Sequence, residues 1–265
     1  MKKICNILLS VLLMITMVGC GTQINEKEQE KPKSAKEMME EASEKLQSVE
    51  SVDLSMQMEM NIELNGERIT MQIYGEIKIQ DKGKETMKIA MPMTMEIPSQ
   101  GITMEMKVYY VDGYYYMDVM GAKMKTPMDF KEMMDSVEGS TGASSVQADK
   151  MLSLGMEKRE DSYVISFVGD PEKMMEYTQD VMESIQSISG LTANNMTLND
   201  LKGTMLIDKK GNVKEQVVDM AMSMDVEGES STTTIKTVVT YNSINEAVQI
   251  AFPDLSEYEE ISLLE

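Results

Sequence analysis

The chain has no histidine, no tryptophan and only two cysteines among its 265 residues. Each scarcity removes a class of chemistry. Without histidine the usual general base and a common metal ligand are missing, and neither a Ser-His-Asp nor a Cys-His arrangement can be assembled. No Walker-type glycine loop occurs, nor a G-x-G-x-x-G run after a strand, and no EF-hand-like series of calcium ligands is present. Positive charge is also short. Lys and Arg total 25 against 45 Asp and Glu, a formal charge of -20, and so acidic a surface repels nucleic acid and anionic lipid head groups. The many carboxylates leave a glycosidase pair open by composition. However, Glu59, Glu63, Glu76, Glu96 and Glu105 fall on the polar positions of alternating stretches, where solvation accounts for them. The expectation is a protein that is not an enzyme, with no catalytic residue, metal or cofactor.

The N-terminus reads as an address. Lys2 and Lys3 precede an apolar run from Ile4 to Val18, broken only by Cys5, Asn6, Ser10 and Thr16. That is the layout of a secretory signal peptide, and the run falls short of the ~20 apolar residues of a transmembrane helix. It ends in Met17-Val18-Gly19-Cys20, which resembles a bacterial lipobox, with Met17 where leucine is usual. The resemblance implies that residues 1–19 are a lipoprotein signal peptide and that Cys20 is diacylated. The alternative, an uncleaved anchor, equally leaves the remainder outside the cytoplasm. Cys5 departs with the signal peptide and Cys20 carries lipid, so no cysteine is left for disulfides and the fold relies on its core. Losing Lys2 and Lys3 takes the formal charge from -20 to -22. Residues 20–33 form the acylated cysteine and a flexible tether, GTQINEKEQEKPK after Cys20, with nothing to bury. The expected location is the extracytoplasmic face of the cell membrane, held through the diacylglyceryl anchor, with no nucleic-acid partner and no identifiable protein partner.

Residues 34–265 are read as one domain with an acidic tail. Ser34 and Glu37 make a capping-box pattern, and Ala35, Met38, Met39, Ala42 and Leu46 recur at helical spacing. The period changes to two at Ser51. Val52, Leu54, Met56, Met58, Met60, Ile62 and Leu64 alternate with polar residues, the pattern of a strand with one wet face. Hairpin signals at Asn65-Gly66, Asp81-Lys82-Gly83, Pro98 to Gly101 and Asp112-Gly113 divide the stretch to Met120 into a five-stranded meander. Further on, Asp129 caps a short helix through Met134, and residues 138–145 read as a loop. Tyr163 to Val168 is a strand. Asp170-Pro171 opens a helix whose apolar stripe runs to Ile188. Strands at Thr204 to Asp208, Val213 to Glu227 and Ser230 to Tyr241 close the domain, and no structure is assigned after Pro253. Helix followed by meander occurs twice, which suggests a weak internal duplication.

What is abundant is methionine, 31 in all. Met56, Met58, Met60, Met71, Met91, Met93, Met104, Met106, Met220, Met222 and Met224 sit at alternating strand positions, and antiparallel pairing brings them to one side of a sheet. Burying one Met side chain is worth ~1.5–3 kcal/mol, so a dozen left wet would forgo ~20 kcal/mol or more, beyond the usual net stability of a domain. The face must therefore be covered, by the helix at 35–47, the helix at 171–188 and segments within 129–156. Three readings follow. An incomplete cover leaves a deformable apolar cavity for a lipid or acyl chain, a role that soft methionine side chains suit. A complete cover leaves an ordinary core, with the acidic outer face free for a partner. Thirdly, Met-x-Met runs such as Met56-Gln57-Met58 match thioether ligation of copper(I), although alternating strands impose that spacing anyway. Tyr109, Tyr110, Tyr114, Tyr115 and Tyr116 cluster across one hairpin, either as cross-strand packing or as a platform.

The lipobox, tether, leading helix, long meander, inserted helices and returning strands together resemble the LolA-like superfamily over roughly residues 34–253. Within it the chain is similar to uncharacterised lipoproteins of Gram-positive bacteria, related at a distance to the mycobacterial LppX and LprG lipid-binding lipoproteins. The resemblance implies an α+β fold, a curved antiparallel half-barrel with helices packed over its concave face. It also implies a hydrophobic cavity that carries lipid or lipoprotein acyl chains.

Overall fold

The computed structural model describes residues 33–64, 66–131, 147–174, 193–226 and 229–261. The expected signal peptide with Cys20, the expected tether to Pro32, the expected loop at 138–145 and most of the expected helix at 171–188 lie outside this set. The chain divides at Ser34, and the unit Ser34–Glu265 contains every element below.

Helix α1 spans Ala35–Gln47 and carries the capping box that its sequence announces. The Ser34 hydroxyl accepts from the Glu37 backbone N–H at 3.2 Å, and Glu37 accepts from the Ser34 N–H at 2.7 Å. Two otherwise orphaned donors at the helix start are thus satisfied. Met39 and Ala42 on its inward side are completely buried.

The rest is sheet. The first six strands are β1 (Val52–Leu64), β2 (Glu67–Gln80), β3 (Lys88–Ile97), β4 (Ile102–Val111), β5 (Tyr114–Val119) and β6 (Ala122–Pro127). A second series follows with β7 (Met151–Lys158), β8 (Ser162–Gly169), β9 (Ala193–Asp208), β10 (Val213–Val226) and β11 (Glu229–Ile244), and β12 (Glu259–Glu260) is a short addition. The strands form one open sheet in the order β12-β6-β5-β4-β3-β2-β1-β11-β10-β9-β8-β7, antiparallel throughout except where β12 joins β6. The fold is the α+β half-barrel that the resemblance implied. Two meanders meet in the middle, where β1 pairs with β11 along its whole length.

Three departures from the sequence reading have physical causes. The first meander has six strands. The turn into β6 uses Met120 at φ 54° and Gly121 at φ 89°, a left-handed pair of the kind two-residue hairpins need, but Met120 is not a residue that advertises it. Secondly, residues 151–158 are a sheet strand and not part of the cover. A bulge between Met151 and Ser153 breaks their period of two, which hid the strand. Thirdly, the tail has structure. Tyr258, Phe252, Ile250 and Leu255 pack on the outer face against Ala90, Tyr109, Val111 and Tyr116. Tyr258 stands edge-on to Tyr116 at 5.4 Å and Phe252 edge-on to Tyr109 at 6.0 Å. Isolated aromatic anchors in an acidic segment carry no periodicity for a sequence reading to detect. Beyond them β12 lies along β6 and Ile261 donates to the Lys125 carbonyl at 2.8 Å, partly covering the sheet's edge.

Candidate functional site: a methionine-lined inner face

The register across the strands decides which side chains share a face. On the side covered by α1, one row reads Gln216–Val239–Met56–Gly75–Met93–Met106 from β10 to β4. The next reads Val218–Thr237–Met58–Ile73–Met95–Met104. The third reads Leu201–Met220–Ile235–Met60–Met71, and the fourth Leu198–Met222–Thr233–Ile62–Ile69. Met91 lies on the same side of β3, opposite Val108, which in turn pairs with Met117 and then Met124. Ten of the singled-out methionines thus have described side chains on this inner face. Met224 holds the corresponding register position opposite Ser231, and its side chain is outside the described set.

Burial divides the ten. Met60, Met71, Met220 and Met222 are 8% exposed or less and belong to a continuous core with Met39 and Ala42 of α1 and with Leu201, Met205 and Ile207. Met56, Met58, Met91, Met93, Met104 and Met106 are only half-buried. Gly75 lies between Met56 and Met93 in its row. A Cβ there would stand 3.2 Å from Met93 Cγ and 3.8 Å from Met56 Cε, so the two flexible side chains close over a gap in the sheet's surface. Met95, Met117 and Met124 share this half of the face. Met95 was legible from its alternation with Met93, whereas Met124 sits on the strand that the sequence reading missed.

The inner face carries almost no charge. From β1, β3, β4 and the Ser231–Ile244 stretch of β11 it presents aliphatic, methionine, hydroxyl and tyrosine residues, and Glu67 holds an inner-face position at the end of β2, while Asp53, Glu59, Glu63, Glu96, Glu105, Lys107 and Lys236 fall on the other side. Lys202, Asp219, Lys236 and Glu59 face one another in register across β9, β10, β11 and β1 there, an alternation favourable to cross-strand pairing. At the far end of the inner face Val52, Ile79, Met87, Ile89 and Tyr110 form a second cluster, into which Tyr115, Tyr241 and Phe130 pack. Burial pushes the Tyr241 phenol up to about 12. The tyrosine group is therefore split between the faces, Tyr110 and Tyr115 inside, Tyr109 and Tyr116 outside, and the packing explanation applies to both sets.

Cover comes from three places. Helix α1 lies over the centre, with Lys45 donating to the Lys210 carbonyl at the turn between β9 and β10. Asp170 caps the segment that follows it by accepting from the Glu172 N–H at 3.1 Å, and Met174 is buried in the core. Residues 148–150 make a single 3-10 turn whose Ala148 is buried in the core. Among the described residues no group of three or more His, Cys, Asp or Glu converges as a metal site, and no helix is long and apolar enough to cross a membrane.

These features define a class: an open α+β half-barrel with a helix over a largely apolar, methionine-lined inner face. The chain belongs to a family of unknown function, DUF6612, whose model matches residues 34–256. Among solved structures it is similar to LprF from Mycobacterium bovis, at 12% identity and a TM-score of 0.41, over 83% of this chain and 96% of that one. It is also similar to the lipoprotein LppX from Mycobacterium tuberculosis, at 9% identity and a TM-score of 0.43, over 82% and 98%. A putative outer membrane lipoprotein-sorting protein domain from Vibrio parahaemolyticus matches at 11% identity and a TM-score of 0.26, over 79% and 94%. LppX and a lipoprotein-sorting domain, the types named in the sequence resemblance, are thus among the structures to which the chain is similar. No curated protein matches the chain.

Proposed function

We propose that this protein is an extracytoplasmic lipoprotein, tethered through acylated Cys20, that holds a lipid or acyl chain against the methionines of its inner face. The observation that carries the reading is the contrast within one face. Six methionines in the β1, β3 and β4 part stay half-buried where four others are packed shut. Apolar surface of that extent gains stability from an apolar occupant, and methionine adapts to occupants of varied shape. The lack of charge on this face favours a neutral hydrocarbon body over a polar ligand. No step of bond making or breaking is assigned.

A second reading, a self-filled scaffold whose acidic outer face meets a partner, draws support from the packing of Met60, Met71, Met220 and Met222 against α1. Native mass spectrometry of the domain from Ser34 onward separates the two. Under the first reading lipid is retained from the host or taken up on addition. If the domain remains free of lipid at every excess, the ligand-holding role is lost and the self-filled scaffold stands.

A further inference from the structure

On β11 the inner face carries two side chains that do not suit an apolar core. Ser231 and Thr233 are 1% and 2% exposed, and neither hydroxyl has a hydrogen-bond partner. Their register is fixed: Thr233 lies between Met222 and Ile62, and Ser231 lies opposite Leu64. A hydroxyl without a partner in such surroundings is costly, whereas an apolar group of the same shape there costs nothing. The same strand supplies that alternative two residues further on, with Ile235 on the same face and 3% exposed. The hydroxyls of Thr232 and Thr234, which point the other way, are exposed and need no explanation. Two costly donors next to each other on a side of the sheet where β1 and β11 place no Lys or Arg call for an acceptor that arrives with the ligand.

We infer that Ser231 and Thr233, closed off in the ligand-free chain, form a polar subsite that opens when the soft Met222 side chain repacks and then donates hydrogen bonds to the carbonyl oxygens of a neutral acyl ester, whose hydrocarbon runs over the methionine rows. This rests on the proposed ligand-holding role and specifies its ligand class. The residues are i and i+2 on one strand, so the two hydroxyls sit about 7 Å apart, a span that suits a lipid with more than one ester. A carboxylate or phosphate fits less well. The neighbouring inner-face positions on β1 and β11 offer no Lys or Arg to balance it, and an unpaired charge in apolar surroundings is strongly disfavoured.

The test compares dioctanoylglycerol with dioctyl glyceryl ether, which differs by lacking both carbonyls. Each displaces a naphthylamine fluorescent probe from the full chain and from the S231A/T233V double variant. The expected result is that the wild type binds the ester about tenfold more tightly than the ether, from two hydrogen bonds, and that the variant binds both alike. The ligand-free variant should melt at or above the wild-type temperature, since two unpartnered groups are gone. A variant that keeps the ester preference, a wild type without one, or a variant that melts clearly lower overturns the subsite, and binding of the ether in those cases leaves the ligand-holding role intact. Failure of both compounds to displace the probe from the wild type overturns the subsite and the role together.

Discussion

The two halves of the inner face use the same residue type to different ends. In one part, running across β9, β10 and β11 to Met60 on β1 and Met71 on β2, methionines pack with Leu201, Ile207 and Ile235 and are sealed in one core with Met39 and Ala42 of α1. In the other part, formed by Met56 and Met58 of β1 with β3 to β6, Met93 pairs with Met106, Met95 with Met104 and Met117 with Met124, with few branched residues between them. Branched aliphatic side chains have few rotamers and fix one packing, whereas methionine specifies a packing poorly. One half is thus built as a core and the other as a compliant surface. What separates a structural methionine from a candidate ligand contact is its neighbours, not its own chemistry.

Four measurements break or sharpen this contrast. The largest effect is expected at Gly203 in the sealed half, where a Cβ would lie 2.1 Å from the Val217 carbonyl oxygen and 2.5 Å from the Phe167 ring. Gly203→Val should abolish cooperative folding, and a thermal melt like that of the wild type would disprove the close packing described. Next, Met222→Ala should cost ~2–5 kcal/mol as a cavity in a packed core, while Met104→Ala should cost less than ~1 kcal/mol. Denaturant titration of the two variants checks this, and equal losses would erase the distinction between the halves. Thirdly, Tyr241 lies where the two inner-face clusters meet, and its phenol is raised to about 12 from 10.0. Because the folded state holds the proton more tightly, its contribution is complete below pH 10 and is lost as pH rises from about 10 to about 12. The loss is on the order of 2 kcal/mol. Tyr241→Phe should flatten that part of the stability profile, and an unchanged profile would assign it to Tyr258 on the outer face, which is raised to about 12 mainly by its own burial. The smallest effect on stability is expected for Gly75→Ala, where the added carbon stands 3.2 Å from Met93 Cγ and at ordinary contact distance from the Pro92 carbonyl oxygen and Met56 Cε. The melting temperature should move by a degree or two at most (roughly 0.5 kcal/mol or less), while probe binding weakens as the gap fills. Unaltered binding would remove Gly75 from the candidate site.

Much of the half-barrel was legible in the sequence because its physics is local. Alternation in β1 through β4 fixes which residues share a face, Asp112-Gly113 fixes a turn, and Ser34 with Glu37 fixes a helix start. The sidedness of the methionines followed from period and pairing alone. What was not legible depends on contacts distant in sequence. The outer-face packing of Phe252 and Tyr258 is set by tyrosines more than a hundred residues earlier. Met60 and Met58 look alike in the chain, yet the first is sealed and the second half-buried. The unpartnered state of Ser231 and Thr233 gives no signal in a strand whose other threonines are ordinary surface residues.

The seam between β1 and β11 has a consequence for how the molecule is made. Val52 meets Ile244 and Leu64 meets Ser231, so the centre of the sheet is its highest contact-order part and joins only after nearly the whole chain exists. Loop closure over that span slows such pairing, and until then each meander keeps a bare strand along its future midline. The chain therefore stays unfinished for most of its synthesis, and its last long strand acts as the latch.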